Sequence, residues 1–445
     1  MKVGSAAAAL LQRIENRSAR IGIVGLGYVG LPLSKALLEN GFPVIGFDVD
    51  QRKIDAIAEG RSYIQHLGES FFEMLKDSDQ FSASIDPSVL AEADAILLCV
   101  PTPLGRHNDP DLSYVLESTR MVAKVLRPGQ LVVLESTTYP GTTRQEMKPI
   151  LDAGGLVCGE DYFLAYSPER EDPGSAGRSA GQIPKLVGGI DDTSTDLAMA
   201  LYERVVAAAH RVSSAEVAES AKLLENIYRS VNIALVNEMK TVLTTMGIDI
   251  WEVVDAASTK PFGFQAFYPG PGLGGHCIPI DPYYLTWKAK EVGQQTRFIE
   301  LAGEVNTAMP RYVVHRLAEA LNDDGIAARG ARILVLGIAY KKNVDDNRET
   351  PAAEIIELLA ELGAEINYHD PHLPRFPEMR KYKLDLASVP LEADVLAATD
   401  AVLIVTDHDA VDYALVGEHA GLIVDTRNAM TRVDAESIRA RVVKA

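Results

Sequence analysis

The apolar positions of this chain change period along its length. IGIVGLG, FPVIGFDVD, DAILLCV and QLVVLEST are short, β-branched apolar runs. Such runs, bounded by glycine or aspartate, predict buried strands. Between them, LPLSKALLEN, RKIDAIAEG and YVLESTRMVAKVL carry apolar residues at helical spacing. Ser213 to Gly247 contains no proline and no internal glycine, and predicts one long helix with a serine cap and a glycine stop. More helix follows to about residue 320. The first pattern then returns: ARILVLGIAY, AEINYHDP, DAVLIVTDHDA and GLIVDTRN read as strands, and AAEIIELLAELG as a helix stopped by Gly363.

Strands alternating with helices imply βαβ units. The two alternating halves also echo each other: GFPVIGFD resembles GAEINYHD, and DAILLCVPTP resembles DAVLIVTDHD. The predicted class is α/β, with two doubly wound, Rossmann-like parallel-sheet domains joined by a helical connector. The expected boundaries are a lead-in at 1–19, a dinucleotide domain at 20–210, a helical central domain at 211–322 and a second α/β domain at 323–445. Linkers are expected near 207–214 and 322–331. The lead-in reads as mobile or helical, not as a signal peptide.

At 445 residues the chain is too long for one core. Its net charge of −19 argues against non-specific binding to nucleic acid or an anionic membrane. No apolar run is long enough to span a bilayer. Three cysteines give no disulfide framework and fit a reducing cytoplasm. Cys99 reads as core, and Cys158 lies near a loop.

Gly25, Gly27 and Gly30 complete G-x-G-x-x-G between a strand and a helix. The first glycine allows the tight turn, the second lets a pyrophosphate approach, and the third lets helix pack on strand. Tyr28 and Val29 border the same turn. Asp48 ends the second strand, 23 residues after Gly25. A carboxylate there binds ribose hydroxyls and repels a 2′-phosphate, which favours NAD over NADP. Arg52, close by, is a cation that would suit NADP.

PGPGLGGHCIPIDPYYL, from Pro269 to Leu285, sets Cys277 in a loop that neither helix nor strand accommodates. Asp281 and Pro282 then open a helix, whose N-terminus would favour a thiolate. Two readings stand: a reactive thiol, or a structural cysteine with Asp281 as a cap. His276 is either a general base or a loop residue held by backbone bonds. Lys222 and Asn226, four apart on the long helix, are either an oxyanion and water site or an ordinary solvated pair.

GLGYVGLPL, CVPTP, ESTTYPGTT, YSPER, AESAKLLENIYRSVNIALVNE, GPGLGGHCIPIDPYYL and YKKNVDDNRETPA occur in this order. Together they closely resemble the UDP-glucose/GDP-mannose dehydrogenase family, from about residue 20 to 430. The resemblance implies a metal-free, four-electron oxidation of a nucleotide sugar at C6, with two NAD reduced. Cys277 would be the nucleophile, carrying a thiohemiacetal and then a thioester. Lys222 and Asn226 would hold the oxyanion and water, Asp281 would stand beside the nucleophile, and Glu169 would be an acid/base. Thr102 would hold water, and Thr102 and Thr138 would border the cofactor. Substrate contacts would include Glu169, Arg170, Lys222, Asn226, Lys260, Phe267, Tyr268, Gly272, Gly274 and Gly275. Lys341 and Arg348 would reach the nucleotide from the second α/β domain, with catalysis in the cleft between the α/β domains.

One departure stands out. Family members acting on UDP-glucose often carry a second glutamate four residues after the first. Here that position is Pro173, with Glu171 and Asp172 out of register. STKPFGFQAFYPGPG and YSPERED resemble instead the branch acting on UDP-N-acetylhexosamines. UDP-N-acetylglucosamine is the first choice and its galactosamine epimer the second. UDP-glucose and UDP-N-acetylmannosamine follow. A homodimer through Leu223, Ile227, Val231, Ala234 and Leu235 of the long helix is also implied. Two rivals are a two-electron β-hydroxyacid-type dehydrogenase and a non-catalytic nucleotide-binding protein.

Overall fold

The structure, a computed structural model, describes residues 5–64, 67–105, 107–170, 182–275, 278–377, 379 and 381–445. His276 and Cys277 lie outside the described residues, as do Glu171, Asp172 and Pro173. The described chain divides into two compact units, Met1–Glu225 with Tyr283–Gln295, and Asn226–Pro282 with Thr296–Ala445. The division cuts the long helix, Ala215–Thr245, between Glu225 and Asn226.

The first unit holds β1 (Ile21–Val24), β2 (Val44–Phe47), β3 (Phe81–Ser84), β4 (Ala95–Leu98), β5 (Leu131–Leu134), β6 (Phe163–Tyr166), β7 (Lys185–Gly189) and β8 (Ala209–Arg211). They form one sheet in the order β3-β2-β1-β4-β5-β6-β7-β8. Every pairing is parallel except β6 with β7. The chain leaves β1 in one direction for β2 and returns to its other side as β4. In such sheets this switch point is where a ligand sits, outside the carboxyl ends of the strands. The second unit holds β9 (Arg332–Leu336), β10 (Glu365–His369), β11 (Ala401–Ile404), β12 (Leu422–Asp425) and β13 (Arg441–Lys444), all parallel, in the order β10-β9-β11-β12-β13. Its switch point lies between β9 and β11.

The eight runs read as strands all appear, and five strands were not anticipated: β3, β6, β7, β8 and β13. The reason is physical. β3, β8 and β13 lie at sheet edges, so FSAS, AHR and RVVK carry no continuous apolar run. β8 falls inside the stretch expected to be a linker. The lead-in is a helix, Ser5–Glu15, that buries Ala7, Leu10 and Ile14 in the first core. Three such side chains contribute roughly 1–3 kcal/mol each.

The long helix starts with a hydrogen bond from the Val217 amide to Ser214 Oγ, 3.4 Å. It is followed by Gly247 at φ 72°. Its apolar face differs from the one expected. Leu223 and Ala234 are buried, whereas Val217, Leu224, Tyr228, Leu235, Met239, Val242 and Met246 form an exposed stripe. Sequence spacing alone cannot tell these two faces apart, because both repeat at helical period.

In the first unit, Lys185 on β7 is buried against Glu135, 2.6 Å away, and Tyr202 donates to the same carboxylate. Burial by itself would strip the Lys185 charge. The Glu135 and Glu169 carboxylates outweigh it and hold the ammonium above its ordinary range. Removing one partner of such a pair leaves an uncompensated buried charge. Glu135→Ala is therefore expected to cost roughly 3–5 kcal/mol, seen as a lower urea midpoint for the full chain. An unchanged midpoint would show the pair to be dispensable.

Candidate active site

The glycine turn behaves as its spacing demands. Gly25 has φ 97°, and a Cβ there would stand 2.5 Å from the Cys99 carbonyl oxygen. A Cβ on Gly30 would stand 1.9 Å from the Gly25 oxygen. A Cβ on Gly27 would meet nothing within 4 Å beyond its chain neighbours. The outer glycines are thus required by the protein's own backbone, and the middle one faces open space. Val29 precedes the helix Gly30–Glu39, and Tyr28 packs against the first core.

Asp48 is 5% exposed. It accepts from the Leu26 amide at 2.8 Å, the Asp50 amide at 3.0 Å and Lys53 Nζ at 2.7 Å. A carboxylate has about four acceptor sites, so one remains for a ribose hydroxyl. Arg52, the cation that would suit NADP, is tied to Asp50 by its side chain. The Arg52 hydrogen bond holds the Asp50 carboxyl down at about 2.

Two more loops meet at this switch point. Ser136 accepts from the Val100 amide at 3.0 Å and donates to the Val100 carbonyl at 2.7 Å, which ties CVPTP to ESTT. Thr102 is buried, and so is Thr138, whose hydroxyl has no partner among the described residues. A turn with open space at Gly27, a spare ribose acceptor and an unpaired buried hydroxyl together fit a dinucleotide.

Glu219 on the long helix accepts from the Gly141 amide (2.6 Å), the Thr143 amide (2.9 Å) and Thr143 Oγ1 (2.7 Å). It anchors the loop after Thr138 to the helix that carries Lys222. Lys222 is 6% exposed and makes no hydrogen bond or ion pair with a described residue. The surface-pair reading of Lys222 and Asn226 is therefore set aside, since both are buried. Glu169 lies 3.5 Å from Lys185. Arg170 is committed to Glu225 and the Pro184 carbonyl, which leaves it bracing YSPER.

In the second unit, Asn226 Nδ2 donates to Asp281 Oδ2, and both side chains are buried. Asp281 is the first residue of the helix Asp281–Glu291, four residues past Cys277. It is thus more than an exposed cap. Gly272 (φ 142°) and Gly275 (φ 81°) need glycine's backbone freedom, and the Gly275 amide donates to the Arg348 carbonyl at 2.9 Å. A Cβ on Gly274 or Gly275 would meet Tyr340 within 3 Å. Gly274 and Gly275 thus lie against the 340–351 segment that carries Lys341 and Arg348. Arg348 itself pairs with Asp346 at 2.6 Å. Phe267 packs beside Trp251, and Tyr268 donates to Asp255 at 2.6 Å. Lys260 is exposed over the Phe262 ring.

The second sheet repeats the first sheet's brace with a different outcome. Asp370 accepts from the Ile338 amide at 2.7 Å, just after Gly337, as Asp48 does from Leu26 after Gly25. The ring of buried His408, however, bonds Asp370 at 3.1 Å. Burial works against the Asp370 charge, but His408 and the backbone amides outweigh it and hold the carboxyl below its ordinary value. That carboxylate is not available to a ribose in the way Asp48 is.

Sequence reasoning missed Glu219 and Lys185, which brace the loops around the first unit's switch point. A signal existed for the helical one: Glu219, Lys222, Asn226, Ser230, Asn237 and Lys240 put polar residues at helical spacing on a buried face.

Three family models match the chain: the NAD binding domain of the UDP-glucose/GDP-mannose dehydrogenase family over residues 19–206, its central domain over 216–308 and its UDP binding domain over 334–432. The chain belongs to the UDP-glucose/GDP-mannose dehydrogenase family and is an NAD-dependent nucleotide-sugar dehydrogenase. It is 37% identical to Protein CapL of Staphylococcus aureus over 415 residues, covering 92% of this chain and 95% of the relative. It is 36% identical to the UDP-N-acetyl-D-glucosamine 6-dehydrogenase of Pseudomonas aeruginosa over 394 residues, 88% and 91% of the two chains. The solved structure of the UDP-D-ManNAc dehydrogenase of Pyrococcus horikoshii superposes with a TM-score of 0.85 at 30% identity, covering 96% of this chain and 98% of that one.

Filling the open space tests the nucleotide turn. Gly27→Val is expected to melt within a few degrees of the parent, yet to lose at least tenfold in NAD affinity, about 1.4 kcal/mol. A fluorescence titration that finds NAD binding undiminished would place the cofactor elsewhere.

Proposed function

We propose that the chain oxidises the C6 alcohol of a UDP-N-acetylhexosamine, UDP-N-acetylglucosamine first, to the uronate through a thioester on Cys277. The observation that carries this reading is the buried Asn226–Asp281 pair at the start of the helix that follows the cysteine loop. An amide and a carboxylate locked together out of water have a fixed geometry for a reacting group or a water molecule. The names of the relatives support an N-acetylated substrate.

NAD, bound at the glycine turn, supplies the hydride acceptor at each of two oxidations. In the first, the C6 hydroxyl loses its proton and C6 loses hydride, leaving an aldehyde. The Cys277 thiolate adds to that carbon, and the alkoxide formed faces the Lys222 ammonium. This thiohemiacetal loses its second C6 hydride, which gives a thioester. Water held by Asn226 and Asp281 adds to the thioester carbon, the C–S bond breaks, and carboxylate and thiol are released. Overall, one alcohol, two NAD and one water give one carboxylate, two NADH and three protons. Covalent capture keeps the aldehyde bound while the cofactor is exchanged. Free thiols at Cys99 and Cys158 suit a cytoplasmic enzyme, and the uronate would serve as a precursor of a bacterial surface polysaccharide.

The test is a panel of UDP-GlcNAc, UDP-GalNAc, UDP-ManNAc and UDP-glucose with NADH counted per product. The expected result is two NADH per uronate, fastest with UDP-GlcNAc. One NADH per product, or turnover of UDP-glucose alone, overturns the proposal. Cys277→Ala is expected to lose acid formation by at least a thousandfold, with UDP-sugar affinity within about threefold. Uronate production at the parent rate by this variant ends the thioester mechanism.

The exposed stripe on the long helix, Leu224, Tyr228, Leu235, Met239, Val242 and Met246, supports a homodimer. Sedimentation at micromolar concentration is expected to give twice the chain mass, and Leu235→Glu with Met239→Glu to give monomers. A monomeric parent protein refutes the assembly.

A further inference from the structure

We propose that Lys185 is a positioning residue for the oxidation: from behind the YSPER loop it holds Glu169 as an ionised carboxylate, while Glu135 competes for the same ammonium. The inference rests on the UDP-sugar reading above, in which Glu169 faces the reacting sugar, and adds to it the residue that sets this glutamate's charge.

The placement follows from strand direction. β4, β5 and β6 are parallel, so Cys99, Glu135 and Glu169 all follow carboxyl ends of strands. Those ends border the half of the dinucleotide crevice on the far side of the switch point from Asp48. β7 runs opposite to β6, with Ala165 across from Gly189 and Tyr166 across from Gly188. The same register, continued, sets Lys185 across from Glu169. A parallel strand would carry its first residue to the other end of the sheet.

Lys185 Nζ donates to Glu135 Oε2 at 2.6 Å and to the Pro168 carbonyl at 3.3 Å, and it lies 3.5 Å from Glu169 Oε2. The Glu169 amide donates to the Glu135 carbonyl at 3.3 Å. One buried ammonium thus joins two loops and meets two carboxylates. The carboxylates differ. The Glu135 side chain is fully covered, and it also accepts from Tyr202 at the end of the helix Asp192–Tyr202. The Glu169 side chain is 17% exposed, and its Oε1 accepts from the Arg170 amide at 2.7 Å. A sealed carboxylate beside a partly exposed one separates a structural role from a proton-transfer role.

Neighbouring groups on the other elements bring Glu169 no further cation. Arg170 directs its guanidinium to Glu225 and the Pro184 carbonyl. Burial pushes up the Cys99 thiol and the Tyr202 hydroxyl, so neither carries a charge. Burial also works against the Lys185 charge, and Glu135 and Glu169 outweigh it. An ammonium this close in turn favours the ionised form of Glu169. Two changes therefore act with opposite sign. Removing the ammonium makes Glu169 easier to protonate. Removing the Glu135 charge leaves the ammonium to Glu169 and makes it harder to protonate. A lysine that merely braced the loops would do neither.

The pH dependence of kcat/KM, measured with saturating NAD and the best of the four UDP-sugars, tests this. Wild type is expected to lose rate on the acid side as Glu169 takes a proton. Lys185→Met is expected to move that limb up by about one pH unit, a loss of about tenfold at a pH on the limb. Glu135→Gln is expected to move it down by about half a unit. Lys185→Arg, which keeps the charge, is expected to restore the wild-type limb. In a Glu169→Gln background neither Lys185→Met nor Glu135→Gln is expected to shift the profile. An unmoved limb in either single variant, or a shift that survives in the Glu169→Gln background, overturns the inference alone. Wild type that oxidises none of the four UDP-sugars overturns it together with the UDP-sugar reading. Should Lys185→Met not fold, because Glu135 is then buried without its counter-ion, the Glu135→Gln shift and the Lys185→Arg profile decide.

Discussion

A long helix that buries polar side chains imposes the constraint on which the rest of this molecule depends. An unpaired polar group taken out of water costs roughly 1–3 kcal/mol, and a charged one more. The helix Ala215–Thr245 buries Glu219, Lys222, Asn226, Ser230, Asn237 and Lys240 along its length. Four of them find partners in loops: Glu219 at Gly141 and Thr143, Asn226 at Asp281, and Asn237 and Lys240 at Gly270. The two lysines do not find a carboxylate among the described residues. The helix thus fixes loops through its amides and its glutamate, while its two buried lysines keep their charges unpaired among the described residues.

The two sheets show how one piece of chain geometry is put to different uses. Each has a glycine of positive φ after its first strand, and a carboxylate at the end of the next strand that braces the amide beyond that glycine. In the first sheet the carboxylate keeps an acceptor site, and open space lies at Gly27. In the second, His408 fills the corresponding position. The same scaffold therefore suits a dinucleotide in one unit and not in the other, and a single histidine makes much of that difference.

Much of this was legible from residues alone. The three glycines, Asp48 and the strand–helix alternation predicted the first sheet and its turn, because those features act over a few residues and their geometry is local. The eight apolar runs became strands for the same reason. Three of the four edge strands, β3, β8 and β13, were hidden, since an edge needs no apolar run on both faces. Which face of the long helix would be buried was also hidden: Leu223 and Leu235 read alike, yet one is covered and the other is not.

The sequence by itself determined the class of fold and the dinucleotide turn, because glycine and short apolar periods constrain the backbone where they stand. Only the tertiary structure decided which charges are paired. Arg52 and Arg170 looked available and are tied to Asp50 and Glu225, while Lys240, on which the sequence was silent, is buried. Pairing depends on neighbours distant in the chain, and on how much water the fold removes between them.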